Sequence, residues 1–268
     1  MKISVVTISY NQAKYLPQCI ESVLGQKGVD VEYILIDPGS TDGSRDIIET
    51  YRSRLAAVVL EPDQGPADGL NKGFARATGD IFYYLNSDDM ALPGAFQQAA
   101  KVFSTSPHVD VVYGDGIVID AEGCQTAITY SSPMFSAYQL LCGGASVMQP
   151  ATFIRATAFR RTPGFNIANR TCWDGELLLD LASSGAVFRH AAELWSAFRI
   201  YPTSISGSGR LQDVYHQQLQ ALFKQHMRRD RSLSDMLAKT VFWSAGKVSA
   251  AARAIKYRKI SDRLRSAG

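Results

Sequence analysis

The first hundred residues of this 268-residue chain alternate short β-branched runs with helical stripes, and each run ends on a polar cap. Residues 3–8, 31–36, 57–60 and 81–85 are short apolar runs, which read as strands buried on both faces. Between the first two, Leu16, Ile20, Val23 and Leu24 share a helical face, with Pro17 near its start. Ile47, Ile48, Tyr51 and Leu55 mark a second helix with Asp42 or Ser44 as N-cap. Leu70, Phe74 and Ala77 mark a third, closed by Gly79, and Phe96, Ala99, Ala100 and Phe103 a fourth. This order predicts an α/β fold, a Rossmann-like nucleotide-binding domain whose central sheet is mainly parallel and flanked by helices.

Beyond residue 109 the rhythm changes. Residues 109–113 and 116–120 read as a hairpin turning at Gly114-Asp115, which makes the sheet mixed. Residues 173–184 read as a helix and 186–200 as one or two strands. From Leu211 the chain becomes helical and basic, and the small residues 204–209 mark the boundary of a C-terminal helical extension, 208–268.

Charge divides the chain at the same place. The formal net charge is only +3, yet residues 210–268 hold 13 Lys and Arg against 4 Asp and Glu, which leaves 15 against 21 in residues 1–209. An acidic body with a basic tail excludes a whole-domain nucleic-acid binder, and the tail contains no recognised nucleic-acid module. Cys19, Cys124, Cys142 and Cys172 form no CxxC and no zinc spacing with His108, His190, His216 or His226. The N-terminus lacks the long apolar run of a signal peptide, and no stretch approaches the roughly 18 apolar residues of a membrane span. The expected setting is the reducing cytoplasm.

The polar cap after each run narrows the function, because ligands of open α/β sheets bind beyond the carboxyl ends of the strands. The runs lead into Thr7-Ile8-Ser9-Tyr10-Asn11, residues 37–43 (DPGSTDG), residues 61–65 (EPDQG) and Asn86-Ser87-Asp88-Asp89. Four strands thus bring acids or polar caps to one edge. Carboxylates are costly to bury unpaired, so the cluster calls for a cation, a ligand or water. Oxygen ligands there suit Mg²⁺ or Mn²⁺, which bind through one or two carboxylates plus substrate phosphates. Each element also has a plainer use: a turn at 37–43, an N-cap at Asp88-Asp89, tight helix packing at Gly65, Gly69 and Gly73. Two adjacent acids repel, however, and only one can cap. Neither GxGxxG after the first run nor a P-loop occurs, so those phosphate-binding patterns are excluded.

The segments VVTISYN (5–11), LIDPGSTDGS (35–44), EPDQGPADGLNKGFARATGD (61–80) and YLNSDD (84–89) resemble the family 2 glycosyltransferases of the GT-A fold, most of all their bacterial polysaccharide and cell-envelope branch. A looser likeness continues through QPATFIR (149–155), WDGELLLDL (173–181) and FRIYPTSIS (198–206). The resemblance implies a nucleotide-diphosphate sugar donor, most often UDP-linked, and a divalent metal, Mg²⁺ or Mn²⁺. It places Thr7, Tyr10 and Asp37 at the nucleobase, with Ser40 and Asn11 in the same donor site. Asp68 and Lys72 fall where the family lines the diphosphate pocket. Asn86-Ser87-Asp88 falls on the DxD motif with its first acid replaced, leaving Asp88 and Asp89 for the metal. Asp174 matches the general base of inverting members, with Glu176 a competitor because Trp173 replaces the neighbouring glutamate. Arg199 matches an arginine near the diphosphate, Pro38 replaces a second acid, and Tyr201 stands where a histidine is frequent.

By the same resemblance residues 1–207 form the catalytic domain, with a nucleotide-sugar half to about 115 and an acceptor half beyond. The implied reaction is an inverting transfer to a hydroxyl of a glycan or lipid-linked acceptor; a catalytically inactive nucleotide-sugar binder or scaffold is the rival. Asp115 reads as an acid on the acceptor side or as a hairpin turn residue. Phe82, Tyr83 and Tyr84 read as core, and Trp173 as a sugar platform or core. In the tail, Val241, Phe242, Trp243, Val248, Ala252, Ile255 and Ile260 form a stripe among Lys247, Arg253, Lys256, Arg258 and Lys259. Such a helix either lies on an anionic membrane, at the inner face of the cytoplasmic membrane, or packs on the catalytic domain.

Overall fold

The computed structural model describes residues 1–144 and 146–265, with side chains through Tyr257. The stripe residue Ile260 and its neighbours Arg258 and Lys259 therefore have side chains outside the described residues. The strands are β1 (Lys2–Ile8), β2 (Asp30–Ile36), β3 (Ala57–Val59), β4 (Ile81–Asn86), β5 (Met90–Ala91), β6 (Val111–Ile119), β7 (Gln125–Thr129), β8 (Thr152–Arg155) and β9 (Phe188–Arg199). They form one sheet in the order β3-β2-β1-β4-β8-β6-β9-β5, with β7 on β6. The first four are mutually parallel; β8 runs antiparallel to both β4 and β6, and β9 parallel to β6. The α/β fold with a mixed, mainly parallel sheet is as expected.

Period-two alternation sends the strand residues into two layers. Ile3, Val5, Leu35 and Tyr83 pack under α1 (Leu16–Leu24), α2 (Ser44–Thr50) and α4 (Ala95–Thr105). Val6, Ile34, Phe82 and Tyr84 face α3 (Pro66–Phe74), α6 (Ala156–Phe159) and α7 (Trp173–Ser183). The glycines of α3 serve packing. A Cβ on Gly73 would collide with Val6, and one on Gly69 would sit 3.2 Å from Ile8 Cγ2. The helix ends at Phe74 rather than at Gly79. Gly79 instead passes so close to β1 that a Cβ would lie 2.6 Å from Ser4 Oγ. In α2 the cap position belongs to Gly43, at φ 95°, while Asp42 Oδ1 accepts the N–H and hydroxyl of Ser44.

The expected hairpin at Gly114-Asp115 is not there. Residues 111–119 run through as the single strand β6, and the chain reverses after Ile119 to return as β7. Gly114 is required for close approach, since a Cβ would lie 2.8 Å from the Trp195 ring. The β6–β9 register shifts on either side of Asp115, and 188–199 forms one continuous strand.

The C-terminal extension lies against the body. After α5 (Ala137–Cys142) and a short α8 (Ile205–Ser208), helix α9 (Gln212–Met227) buries Leu222 and Phe223 against Leu141, Cys142, Cys172 and Leu179. Helix α10 (Leu233–Arg265) sends Arg253 and Tyr257 to Asp115, and Phe242 packs over Gly144 and edge-on to Tyr138. Phe242 thereby leaves the expected stripe for the inner face. Among the described residues no helix is long and apolar enough to cross a membrane.

Candidate active site

The carboxyl ends of β1, β2 and β4 meet in a rim of polar loops. Asp37 is fully buried at the end of β2. Its Oδ1 accepts the N–H groups of Gly39 (3.0 Å) and Ser40 (2.8 Å) and Nε of Arg45 (3.1 Å), while Oδ2 has no partner among the described residues. Ser40 Oγ accepts the Asn11 N–H at 2.8 Å, and Asn11 Oδ1 accepts the Thr41 N–H at 2.9 Å. The loops after β1 and β2 are thus stapled together, with Asn11 at φ 53° and Tyr10 exposed beside it. Thr7 is not part of this rim. It is fully buried on the α1 side, where its hydroxyl accepts from Tyr33 at 3.0 Å.

Beside it, the Ser87 N–H donates to Ile8 O at 3.2 Å, tying the end of β4 to β1. Asn86 Nδ2 donates to Gln149 Oε1 at 3.2 Å, and the Tyr201 hydroxyl donates to Asp88 Oδ2 at 3.1 Å. Asp89 Oδ1 accepts the Arg199 N–H at 2.9 Å, but its buried Oδ2 has no partner among the described residues. Burial pushes both carboxyls up, Asp89 far above the usual range with the Asp88 charge adding to it. Arg199 comes to this corner from β9 as a brace. It is buried over the Tyr15 ring and donates to Asp88 O, Asp120 O, Ala121 O and Gln18 Oε1, so its guanidinium is engaged within the protein. Asp68 and Lys72 face each other at 3.0 Å on α3, with Lys72 Nζ also donating to Pro62 O.

The acid pair suits a hard cation on its donor set. Among the described residues no three His, Cys, Asp or Glu side chains converge into a closed site. Two adjacent carboxylates, one with an unpartnered buried oxygen, match a Mg²⁺ or Mn²⁺ that takes its other ligands from phosphates and water.

Across the rim, α7 opens with Trp173 and Asp174. The only hydrogen bond to the Asp174 carboxylate among the described residues is from the Gly175 N–H, at 2.8 Å. Burial pushes this carboxyl up. Asp174 lines a cavity of ≈ 260 Å³ with Tyr84, Gln149, Thr152, Tyr215 and Leu219. Gln149 joins this cavity to Asn86 at the rim. Glu176, by contrast, is buried with both oxygens occupied, by Nδ2 of Asn166 (2.9 Å) and of Asn169 (2.7 Å). It pins the preceding loop, and of the two acids only Asp174 keeps an oxygen without a partner among the described residues. Trp173 packs edge-on to Phe165 and tilted to Tyr84.

Asp115 lies outside this site. It is fully buried and accepts from Ser131 N–H (2.8 Å), His190 Nε2 (3.0 Å), Tyr257 Oη (2.6 Å) and Arg253 Nη1 (2.5 and 2.6 Å). Burial would raise its carboxyl, yet His190 and Tyr257 hold it below the ordinary value. It is neither an acceptor-side acid nor a turn residue.

Three contributors escaped the sequence analysis: Gln149, Arg45, and Tyr201 as a partner of Asp88. Gln149 and Tyr201 sit inside the segments QPATFIR and FRIYPTSIS, but neutral side chains give no charge signal. Arg45 is separated from Asp37 by a turn whose shape decides the contact.

Comparison with known proteins supports the fold and the family. The S. aureus TarS fragment 1-349 in complex with UDP-GlcNAc superposes with a TM-score of 0.69 over 91% of this chain and 70% of that one, at 17% identity. A mannosyltransferase from Pyrobaculum calidifontis in complex with GDP-Man and Mn²⁺ does so at 0.64 over 97% and 79%, also at 17% identity. A Bacillus subtilis glycosyltransferase named for teichuronic acid biosynthesis is 41% identical over 90 residues, 32% of this chain and 36% of its own. Matches to the curated relatives span 19% to 68% of their lengths, and 42% or less for the first four. The sequence profile of Glycosyl transferase family 2 matches residues 4–158, more than half of the chain, and the protein belongs to that family.

Proposed function

We propose that the protein moves a sugar from a nucleotide-diphosphate donor, of UDP type, to a hydroxyl of a glycan or lipid-linked acceptor in bacterial polysaccharide or cell-envelope synthesis, with inversion. One observation carries this reading. Three buried oxygens without partners among the described residues, Ser9 Oγ, Asp37 Oδ2 and Asp89 Oδ2, lie just beyond the ends of adjacent parallel strands. Buried polar atoms are almost always paired in native proteins, so a group of orphans at one edge calls for a ligand. Asp37, Tyr10, Asn11 and Ser40 then form the nucleoside site, and Asn86, Ser87, Asp68 and Lys72 the ribose and diphosphate side. Thr7 and Arg199 act from behind, holding the rim in shape. The relatives' UDP-GlcNAc, GDP-Man and Mn²⁺ complexes support a nucleotide sugar and a divalent ion as a class.

The chemistry comes from the opposite wall. Asp174 takes the proton of the acceptor hydroxyl as that oxygen forms its bond to the anomeric carbon. The bond from that carbon to the diphosphate oxygen breaks on the far side, and the nucleoside diphosphate leaves. A carboxylate with a raised pKa holds a proton near neutral pH better than an exposed one, which suits a general base. A divalent cation held by Asp88 and Asp89 would neutralise charge developing on the leaving diphosphate. The protein works on the cytoplasmic side of the membrane, where the basic extension meets lipid.

Calorimetric titration of UDP, GDP and dTDP, each with and without Mn²⁺, tests the reading on wild type and Asp88→Ala. Metal-dependent binding of one nucleotide, lost in the variant, is expected. No binding of any of them would leave a scaffold and end the transferase reading.

A further inference from the structure

Helix α10 is docked by one face and bare on the other. Its inner face holds Asp235, Phe242, Arg253 and Tyr257, all buried or half-buried against the body. The Arg253–Asp115 ion pair fixes it there. Its outer face leaves Leu233, Met236, Leu237, Val241, Trp243, Val248 and Ile255 between 57% and 77% exposed. Leu237, Val241, Val248 and Ile255 succeed one another at steps of four, seven and seven, with the exposed Ser244 and Ala251 between them, so they form one stripe. Large apolar side chains gathered on one exposed face mark an interaction surface.

Charge decides what covers it. Residues 236–261 contain six Lys and Arg and no Asp or Glu. Arg253 and Lys256 are neutralised by Asp115 and Glu193 and Lys239 lies beside Gly143 of the body, which leaves Lys247 flanking the outer face among the described side chains, its Nζ 3.4 Å above the Trp243 ring. Two copies meeting through this helix would bring like charges together. An anionic lipid surface meets both demands, taking the aliphatic stripe into the acyl boundary and the ammonium groups at the headgroups.

We propose that the outer face of α10, from Leu233 to Ile255, is a lipid-binding surface that lays the helix in the plane of an anionic bilayer. The helix is about 50 Å long, enough to act as a rail. Because its inner face is clipped to β6, the catalytic rim is carried at a fixed orientation to the membrane rather than on a loose tether. This deepens the placement at a membrane given above, and it stands without the transfer chemistry.

Co-sedimentation tests it, using vesicles of phosphatidylglycerol and phosphatidylethanolamine against vesicles of phosphatidylcholine alone. Wild type is expected to partition to the anionic vesicles, to release severalfold at high salt, and to show a blue-shifted emission that Trp243→Phe loses. The double variant Leu237→Glu/Val248→Glu, both exposed, is expected to keep its circular dichroism and to bind at least about tenfold less. Equal partition to both vesicle types, or no loss in the double variant, overturns the proposal. So does a lipid-free dimer, seen by light scattering and dispersed by the same variant, because a second copy then covers the face. Nucleotide binding is read separately by calorimetry, so failure of the transferase reading is distinguishable from failure here.

Discussion

The two ends of the sheet treat their buried carboxylates in opposite ways. At the carboxyl ends of the parallel strands, Asp37 and Asp89 each bury an oxygen that nothing among the described residues satisfies. Toward the other end of β2, Glu32 is saturated by Lys2 (2.7 Å), by Ser4 (2.5 Å) and by both the N–H and the hydroxyl of Thr78 (2.7 and 2.6 Å). Burial alone would raise Glu32, but those donors pull it down to about 2. Asp115 under α10 is equally saturated. The family of acids is the same and the solvation is not. Satisfied acids hold the molecule together, and unsatisfied ones leave an oxygen open, which is what the proposed function uses.

That contrast breaks most visibly at Asp174. Asp174→Asn should lower kcat by about 10²–10⁴-fold while leaving nucleotide affinity unchanged. The folded-state pKa of Asp174 is raised, so its ionised form costs stability at neutral pH, and that cost disappears below the unfolded value. The Asn variant should therefore melt no lower than wild type at neutral pH, and the acid limb of the wild-type rate profile should lie above about 4. A melting temperature that falls with the activity would make Asp174 a structural cap.

Arg253→Ala should have the largest effect on stability, about 3–5 kcal/mol in urea unfolding, because it leaves Asp115 charged and buried. Adding Asp115→Asn should restore much of the loss. An additive pair would show that the clip is not a unit. Asp37→Asn keeps an Oδ1 acceptor for its donors, takes away the charge that Arg45 pairs with and puts an NH2 on the orphaned side. It should weaken nucleotide binding by about 1–3 kcal/mol with little change in folding. The smallest effect belongs to Glu32→Gln, about 1 kcal/mol of stability at neutral pH and no change in nucleotide affinity. Since the Glu32 pKa is depressed, its contribution is present above the unfolded value near 4 and is lost as pH falls toward about 2. The variant should accordingly show a flatter acid unfolding curve.

Local pattern made the first four strands, their helices and the polar rim legible, because each is set by alternation and by the residues at a strand's carboxyl end. Failures came where one residue type serves two purposes. Gly114-Asp115 has the composition of a tight turn, yet the glycine admits the Trp195 ring and the aspartate is the anchor of a helix 138 residues further on. Thr7 stands within the motif but on the inward parity of β1, which the family likeness does not reveal. The family likeness puts Arg199 near the diphosphate, and the likeness does not show what its guanidinium touches. Carbonyl oxygens from residues 88, 120 and 121 take its donors instead, and only the folded chain brings them together. Asp174 and Glu176 could be separated only by the asparagines that occupy Glu176.

Asn11 carries a consequence for ligand entry. Its left-handed backbone costs about 1–3 kcal/mol for a residue with a side chain, and that strain persists because Ser40 and Thr41 hold it from both sides. The loop has therefore lost its freedom in the free protein, and a ligand entering on the Asn11 side would meet a surface already formed.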